Sequence, residues 1–146
     1  MELVVAIIGS IFGFIIGSFA QAYLTYLQQK LAAINDHLKD IEEVRDAAFE
    51  YWRRSHECDE QKYRAARLKG LMFGVLEYRE KAAEILGGHE EGYSDLIRTL
   101  YDQTTGGDFE GAKQMPDTRR ISMIFTTAAE ISLHLRHVRP KFIWYN

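Results

Sequence analysis

Nucleophilic catalysis needs a reactive side chain, a base within reach and a third group that orients the base. Cys58 is the only cysteine of the 146 residues, and His56 stands two positions before it. Both fall in a polar stretch read as a turn, where such proximity is expected by chance. His37, His56, His89, His134 and His137 make no H-E-x-x-H or comparable ligand set, so no metal site is expected. Glu42, Glu43, Asp46 and Glu50 share a helix face, which reads as a solvated acidic surface. The run Thr104-Thr105-Gly106-Gly107-Asp108 is rich in glycine. It lacks both the GKS or GKT ending of a phosphate loop and the strand that precedes one. The sequence therefore assigns no enzyme and no cofactor.

Anion binding has more support. A loop over residues 106–115, with Gly106, Gly107 and Gly111, delivers Lys113 beside Arg119 and Arg120 in the first turns of a helix that Asp117 caps. Backbone N–H groups at a helix N-terminus attract anions, and arginines add charge-assisted hydrogen bonds. Phe109 or Tyr101 would be available to stack on a base. Arg136, His137, Arg139 and Lys141 form a second basic cluster at the other end of that helix. Both clusters are equally open to ion pairing with the acidic remainder of the chain, and cations favour a helix C-terminus in any case.

The charge distribution agrees with that division. Overall, 18 Lys and Arg stand against 21 Asp and Glu. Residues 30–111 carry 12 basic and 18 acidic side chains, whereas residues 112–146 carry 6 basic and 2 acidic. A mildly acidic balance gives no reason to expect duplex nucleic acid, and the C-terminal part is the electropositive end. A single cysteine excludes a disulfide framework and fits a reducing cytosol.

The helices that must position these residues begin with an anchor. Residues 3–20 contain no charge and no proline. At about 1.5 Å per residue they cover roughly 27 Å, near the hydrocarbon thickness of a bilayer. Tyr23 and Tyr26 follow where an interfacial belt would lie. A cleaved signal peptide would need a basic n-region and a small-residue cleavage site; the chain opens Met1-Glu2 and shows no A-x-A before Gln21. One transmembrane helix is expected, with residues 1–27 as span and interface. No Lys or Arg precedes the span, whereas Lys30, Lys39 and Arg45 follow it, which places the N-terminus outside and the rest in the cytoplasm. Gly9, Gly13 and Gly17 share one face at four-residue spacing, where two backbones can approach closely, so self-association is expected there. Gln21 sits at the exit of that face, as an interfacial residue, an interhelical hydrogen bonder or the lining of a wet passage.

Leu24, Leu27, Leu31, Ile34, Leu38 and Ile41 repeat at alternating spacings of three and four, an a/d seam. It would serve another copy or the chain's own later helices. The helix is expected to run on as a stalk through residues 28–54, about 75 Å from its start in the membrane. Residues 55–146 are read as a small helical bundle. Asp59 caps the second helix, with Tyr63, Ala66, Leu71, Val75, Tyr78, Ala82 and Ile85 as its buried stripe and Gly87-Gly88 as its stop. Ser94 caps a short helix that buries Leu96, Ile97, Leu100 and Tyr101. The last helix buries Ile121, Ile124, Phe125, Ala128, Ile131, Leu135 and Val138, ending before Pro140. Strand patterns are nearly absent, so the fold class is all-α.

The anchor, a long helix ending Glu50-Tyr51-Trp52 and the loop Gly107-Asp108-Phe109 together resemble the small single-pass membrane effectors of prokaryotic phage defence. In plan the likeness is to those of type III CRISPR loci that respond to cyclic oligoadenylate, and it covers the whole chain as architecture. It implies a homo-oligomer in the inner membrane. A cyclic oligonucleotide held between cytosolic domains would rearrange the membrane helices, opening a pore or disordering the bilayer. Two other readings remain open. One is a membrane-tethered subunit that recruits a protein partner, with Phe142-Ile143-Trp144-Tyr145 as a docking peptide or packed on its own domain. The other is a toxin that damages membranes unless neutralised.

Overall fold

The computed structural model describes residues 2–55, 59–86, 90–111 and 114–138. His56, Cys58, Gly87, Gly88, His89, Lys113, Arg139, Pro140, Lys141 and the tail 142–145 lie outside the described residues. So do the side chains of Asp59, Ile85 and Val138. Among the described residues four helices follow one another: α1 (Glu2–Trp52), α2 (Asp59–Leu86), α3 (Glu90–Thr105) and α4 (Thr118–Val138). No strand occurs among the described residues. The all-α expectation therefore holds.

The chain divides into two compact units, one containing residues up to Ala33 and the other Ile34–Arg139. In the first, α1 is apolar and unburied: none of its 18-residue apolar window is buried. Phe14 is 77% exposed and Phe19 74%. A core helix of this composition would be covered, so its exposure marks one helix long and apolar enough to cross a bilayer. Built Cβ atoms on Gly9, Gly13 and Gly17 meet nothing within 4 Å, which leaves the glycine face open.

In the second unit one core collects Ile34, Ile41, Val44, Ala48, Tyr51 and Trp52 from α1 with Leu68, Met72 and Val75 from α2. Tyr93, Ile97 and Leu100 of α3 and Ile124, Ile131 and Leu135 of α4 complete it. The a/d seam therefore splits. Ile34 and Ile41 lie in this intramolecular core, with Leu38 packed against it, while Leu24, Leu27 and Leu31 are only half-buried.

Three expectations need correction. Of the expected α2 stripe, Val75 and Ala82 are buried and Leu71 and Tyr78 pack against the core, but its N-terminal part is displaced: Gln61, Ala65, Leu68 and Met72 are buried there, whereas Tyr63 is 73% exposed and Ala66 is exposed. The first turns of α2 depart from the expected stripe because their first buried member is an amide. The Gln61 amide nitrogen is satisfied in the core, donating to the carbonyls of Tyr51 (2.9 Å) and the Gln114 side chain (3.0 Å). Ser94 lies inside α3, which starts at Glu90. Gly92 is tolerated there because α4 comes close: a Cβ would stand 3.3 Å from His134 Cε1. Tyr101 and Phe125, expected inside, are 43% and 42% exposed.

Candidate functional site

The glycine-rich stretch and the two arginines meet at the end of α3 and the start of α4. Asp117 caps α4 as expected: its carboxylate accepts from the Arg120 N–H at 2.8 Å and its carbonyl from the Ile121 N–H at 3.1 Å. Between these helices lies a cleft of about 530 Å³ lined by Thr99, Asp102, Gln103, Asp117, Arg119, Arg120 and Met123. Its charged side chains are two acids and two arginines, so it is not a net cationic site.

Gly106 and Gly107 act here as a helix C-cap. The Gly106 N–H donates to the Asp102 carbonyl at 2.9 Å, and Gly107 takes φ +65°. That left-handed residue ends α3, where free carbonyls and not free N–H groups point outward. Arg120 answers those carbonyls. Its Nη1 donates to Gly106 O at 2.5 Å, and its Nε donates to Asp117 Oδ2 at 3.3 Å. Its guanidinium lies 4.1 Å from the Trp52 ring centroid, and the Trp52 indole N–H donates to Thr104 O at 3.0 Å. Arg120 is thus occupied in holding the end of α3. Arg119 is exposed on the cleft, and among the described residues no ion pair involves it.

Arg136 is exposed in the last turn of α4. Its 16-residue separation from Arg120 corresponds to about 24 Å of helix, so the two basic clusters are separate. Phe109, considered for base stacking, is instead half-buried against Tyr51, with centroids 4.8 Å apart, and Lys69 lies over it. Tyr101 keeps an exposed ring beside Phe73 and Phe109 in a smaller groove.

Two polar clusters were not singled out from the sequence. His37 is 1% exposed. Its ring stacks on Tyr78 at 3.7 Å and its Nε2 lies 2.5 Å from the Tyr93 hydroxyl. Tyr93 O–H donation to Nε2 leaves the imidazole proton on Nδ1, which has no hydrogen-bond partner. Asp40 Oδ2 stands 3.8 Å from Nδ1. That carboxylate would favour the charged ring, yet it is half in solvent, and burial wins by holding the His37 pKa at about 4. Burial also pushes the Tyr78 hydroxyl up to about 12 and raises Tyr93 further. A signal was present: His37 falls between Ile34 and Ile41 on the apolar stripe of α1.

The second cluster caps the C-terminus of α1. Gln61 donates to Tyr51 O, the Asp117 N–H donates to Trp52 O at 3.0 Å, and Gln114 Nε2 donates to Arg54 O at 2.9 Å. A helix end buried in a core needs such donors.

In the membrane-type segment, Gly9, Gly13, Gly17, Gln21, Thr25 and Gln29 follow one another at four-residue steps. From Gly17 onward they line an open groove with Phe14, Ser18, Ala22 and Tyr26. Compared with protein families, curated proteins and solved structures, the chain matches none.

Proposed function

We propose that this chain is a non-enzymatic, membrane-anchored and self-associating effector of prokaryotic antiphage defence. Its helical domain binds an anionic ligand, of the cyclic oligonucleotide class, and rearranges the membrane helices to open a pore or disrupt the bilayer. In this reading the N-terminus is outside the inner membrane, α1 continues from span to stalk, and the helical bundle is cytoplasmic. The supporting observation is the wholly uncovered apolar window of α1, whose glycine row is open to a second copy. Glycine faces let helix backbones pack closely in lipid, where dispersion contacts rather than hydrophobic burial drive association. A ligand would act only through its differential affinity for the two arrangements of the oligomer.

Arg119 is the side chain assigned to the ligand, because it is exposed on the cleft while Arg120 holds α3. Dye or ion release from liposomes carrying the full chain tests this. Release on adding cyclic oligonucleotide, lost in Arg119→Ala, supports the effector; membranes that stay tight with every such nucleotide refute it.

One observation favours a second reading, a membrane-tethered subunit that recruits a protein partner. The cleft holds as many acidic as basic side chains, a balance that suits protein surfaces better than a polyanion. A stoichiometric partner in detergent purification, with no nucleotide effect on thermal stability, would favour it.

A further inference from the structure

Helix α2 carries one face that the core does not use. Tyr63, Arg67, Gly70, Gly74, Glu77 and Lys81 are all exposed, and at about 100° per residue they fall within roughly a quarter of the helix circumference. Phe73 stands on one rim of that face, 64% exposed. Glycine inside a helix is destabilising beside alanine, and a Cβ at Gly70 or Gly74 would meet nothing within 4 Å, so packing inside the unit calls for neither. Among the described residues no ion pair involves Arg67, Glu77 or Lys81. The order of these residues is symmetric about the level of Met72. Gly70 and Gly74 stand two positions to either side of it, Arg67 and Glu77 five, and Tyr63 and Lys81 nine.

We infer that this face binds the same face of a second copy, the two α2 helices running antiparallel about a two-fold axis at the level of Met72. Such an axis sets each residue against its counterpart beyond Met72. Gly70 then meets Gly74 of the second copy, Arg67 meets Glu77 and Tyr63 meets Lys81, and every contact occurs twice. The glycines let the helices approach to about 8 Å, the short end of helix packing distances, where a methyl group still fits. The charges choose the occupant and its direction. In a parallel pair Arg67 would face Arg67 and Glu77 would face Glu77, whereas the antiparallel pair turns both into opposite-charge contacts. Tyr63 against Lys81 adds a cation over an aromatic ring. The two Phe73 rings, each one position from the axis, come to the same rim and cover it. A pattern that is its own complement is matched by a second copy and by no unrelated surface. One helix pair over residues 63–81, about 27 Å long, is a small interface, so the contact is weak and reversible. It is separate from the glycine row of α1 and does not rest on the effector reading.

Site-specific oxidation of the full chain in detergent tests this, with Cys58→Ser removing the natural thiol. Gly70→Cys and Gly74→Cys chains, mixed, should form a disulfide-linked pair at several times the yield of either chain alone. Only the mixture brings two thiols opposite each other; in either chain alone they are offset by four residues, about 6 Å. Carried by both chains, Arg67→Glu sets like charges together at both ends of the pair and should cut the mixed yield about fivefold or more. Adding Glu77→Arg to both chains should restore it. All four positions are exposed, so the melting temperature should barely move. Yields that are equal alone and mixed, that ignore Arg67→Glu, or that Glu77→Arg fails to bring back overturn the inference. The absence of any cross-link, the result if this face serves a different protein, overturns it as well.

Discussion

Acidification should loosen the second unit through His37. In the folded chain this ring is held near a pKa of about 4, against 6.5 for a free histidine, by burial. As pH falls through 6.5 the unfolded chain takes up a proton that the folded chain refuses, so unfolding binds protons. Stability is therefore full above pH 6.5 and declines toward pH 4. A difference of about 2.5 pH units at about 1.36 kcal/mol each gives roughly 3 kcal/mol, a large share of a typical 5–15 kcal/mol. Asp40 works in the opposite sense: its raised pKa lets the folded state protonate first at the acidic end of the window. It is largely exposed, and the histidine effect dominates. The assay is thermal or urea unfolding of the full chain in detergent, followed by fluorescence of the buried Trp52, at steps from pH 7.5 to 4.5. His37→Gln keeps an acceptor for Tyr93 and removes the titration. It should be less stable at pH 7.5, having lost the stack on Tyr78, yet nearly flat across the window. A wild-type profile without slope, or an equal slope in the variant, would refute the argument.

The two solvent-facing glycines of α2 offer a simpler measurement. Nothing lies within 4 Å of a Cβ built on Gly70 or Gly74, so Gly70→Ala and Gly74→Ala should each stabilise by about 0.5–1 kcal/mol in urea unfolding. Destabilisation would mean that another surface covers them. Gly107→Ala should cost about 1–2 kcal/mol, because φ is +65° and its Cβ would stand 2.8 Å from Arg120 Nη2; a neutral result would contradict the cap geometry. Gly13→Leu should lower the oligomer mass in detergent by light scattering, and an unchanged mass would rule out the glycine row as the contact.

What was legible in the sequence divides by physics. The helices and the Asp117 cap were readable because capping residues and apolar periodicity are local signals. The first turns of α2 were not, since Gln61 is inside only because the Tyr51 carbonyl of α1 and the Gln114 side chain wait for it. The glycine-rich stretch was read for its N–H groups, yet glycine serves both ends of helices. Whether it offers donors or acceptors depends on which side the helix lies, and Gly106 and Gly107 follow α3. Arg120 looked like a ligand-binding charge because nothing in the sequence tells that Trp52, 68 positions earlier, lies under it.

The meeting of Trp52 and Arg120 has a consequence for how this unit comes apart. One indole and one guanidinium hold the last residues of α1 and α3 and the first turn of α4. Prising any of those ends loose strips partners from the other two. Hydrogen exchange at these three termini should therefore rise together under mild denaturant, as a single foldon instead of fraying one helix at a time.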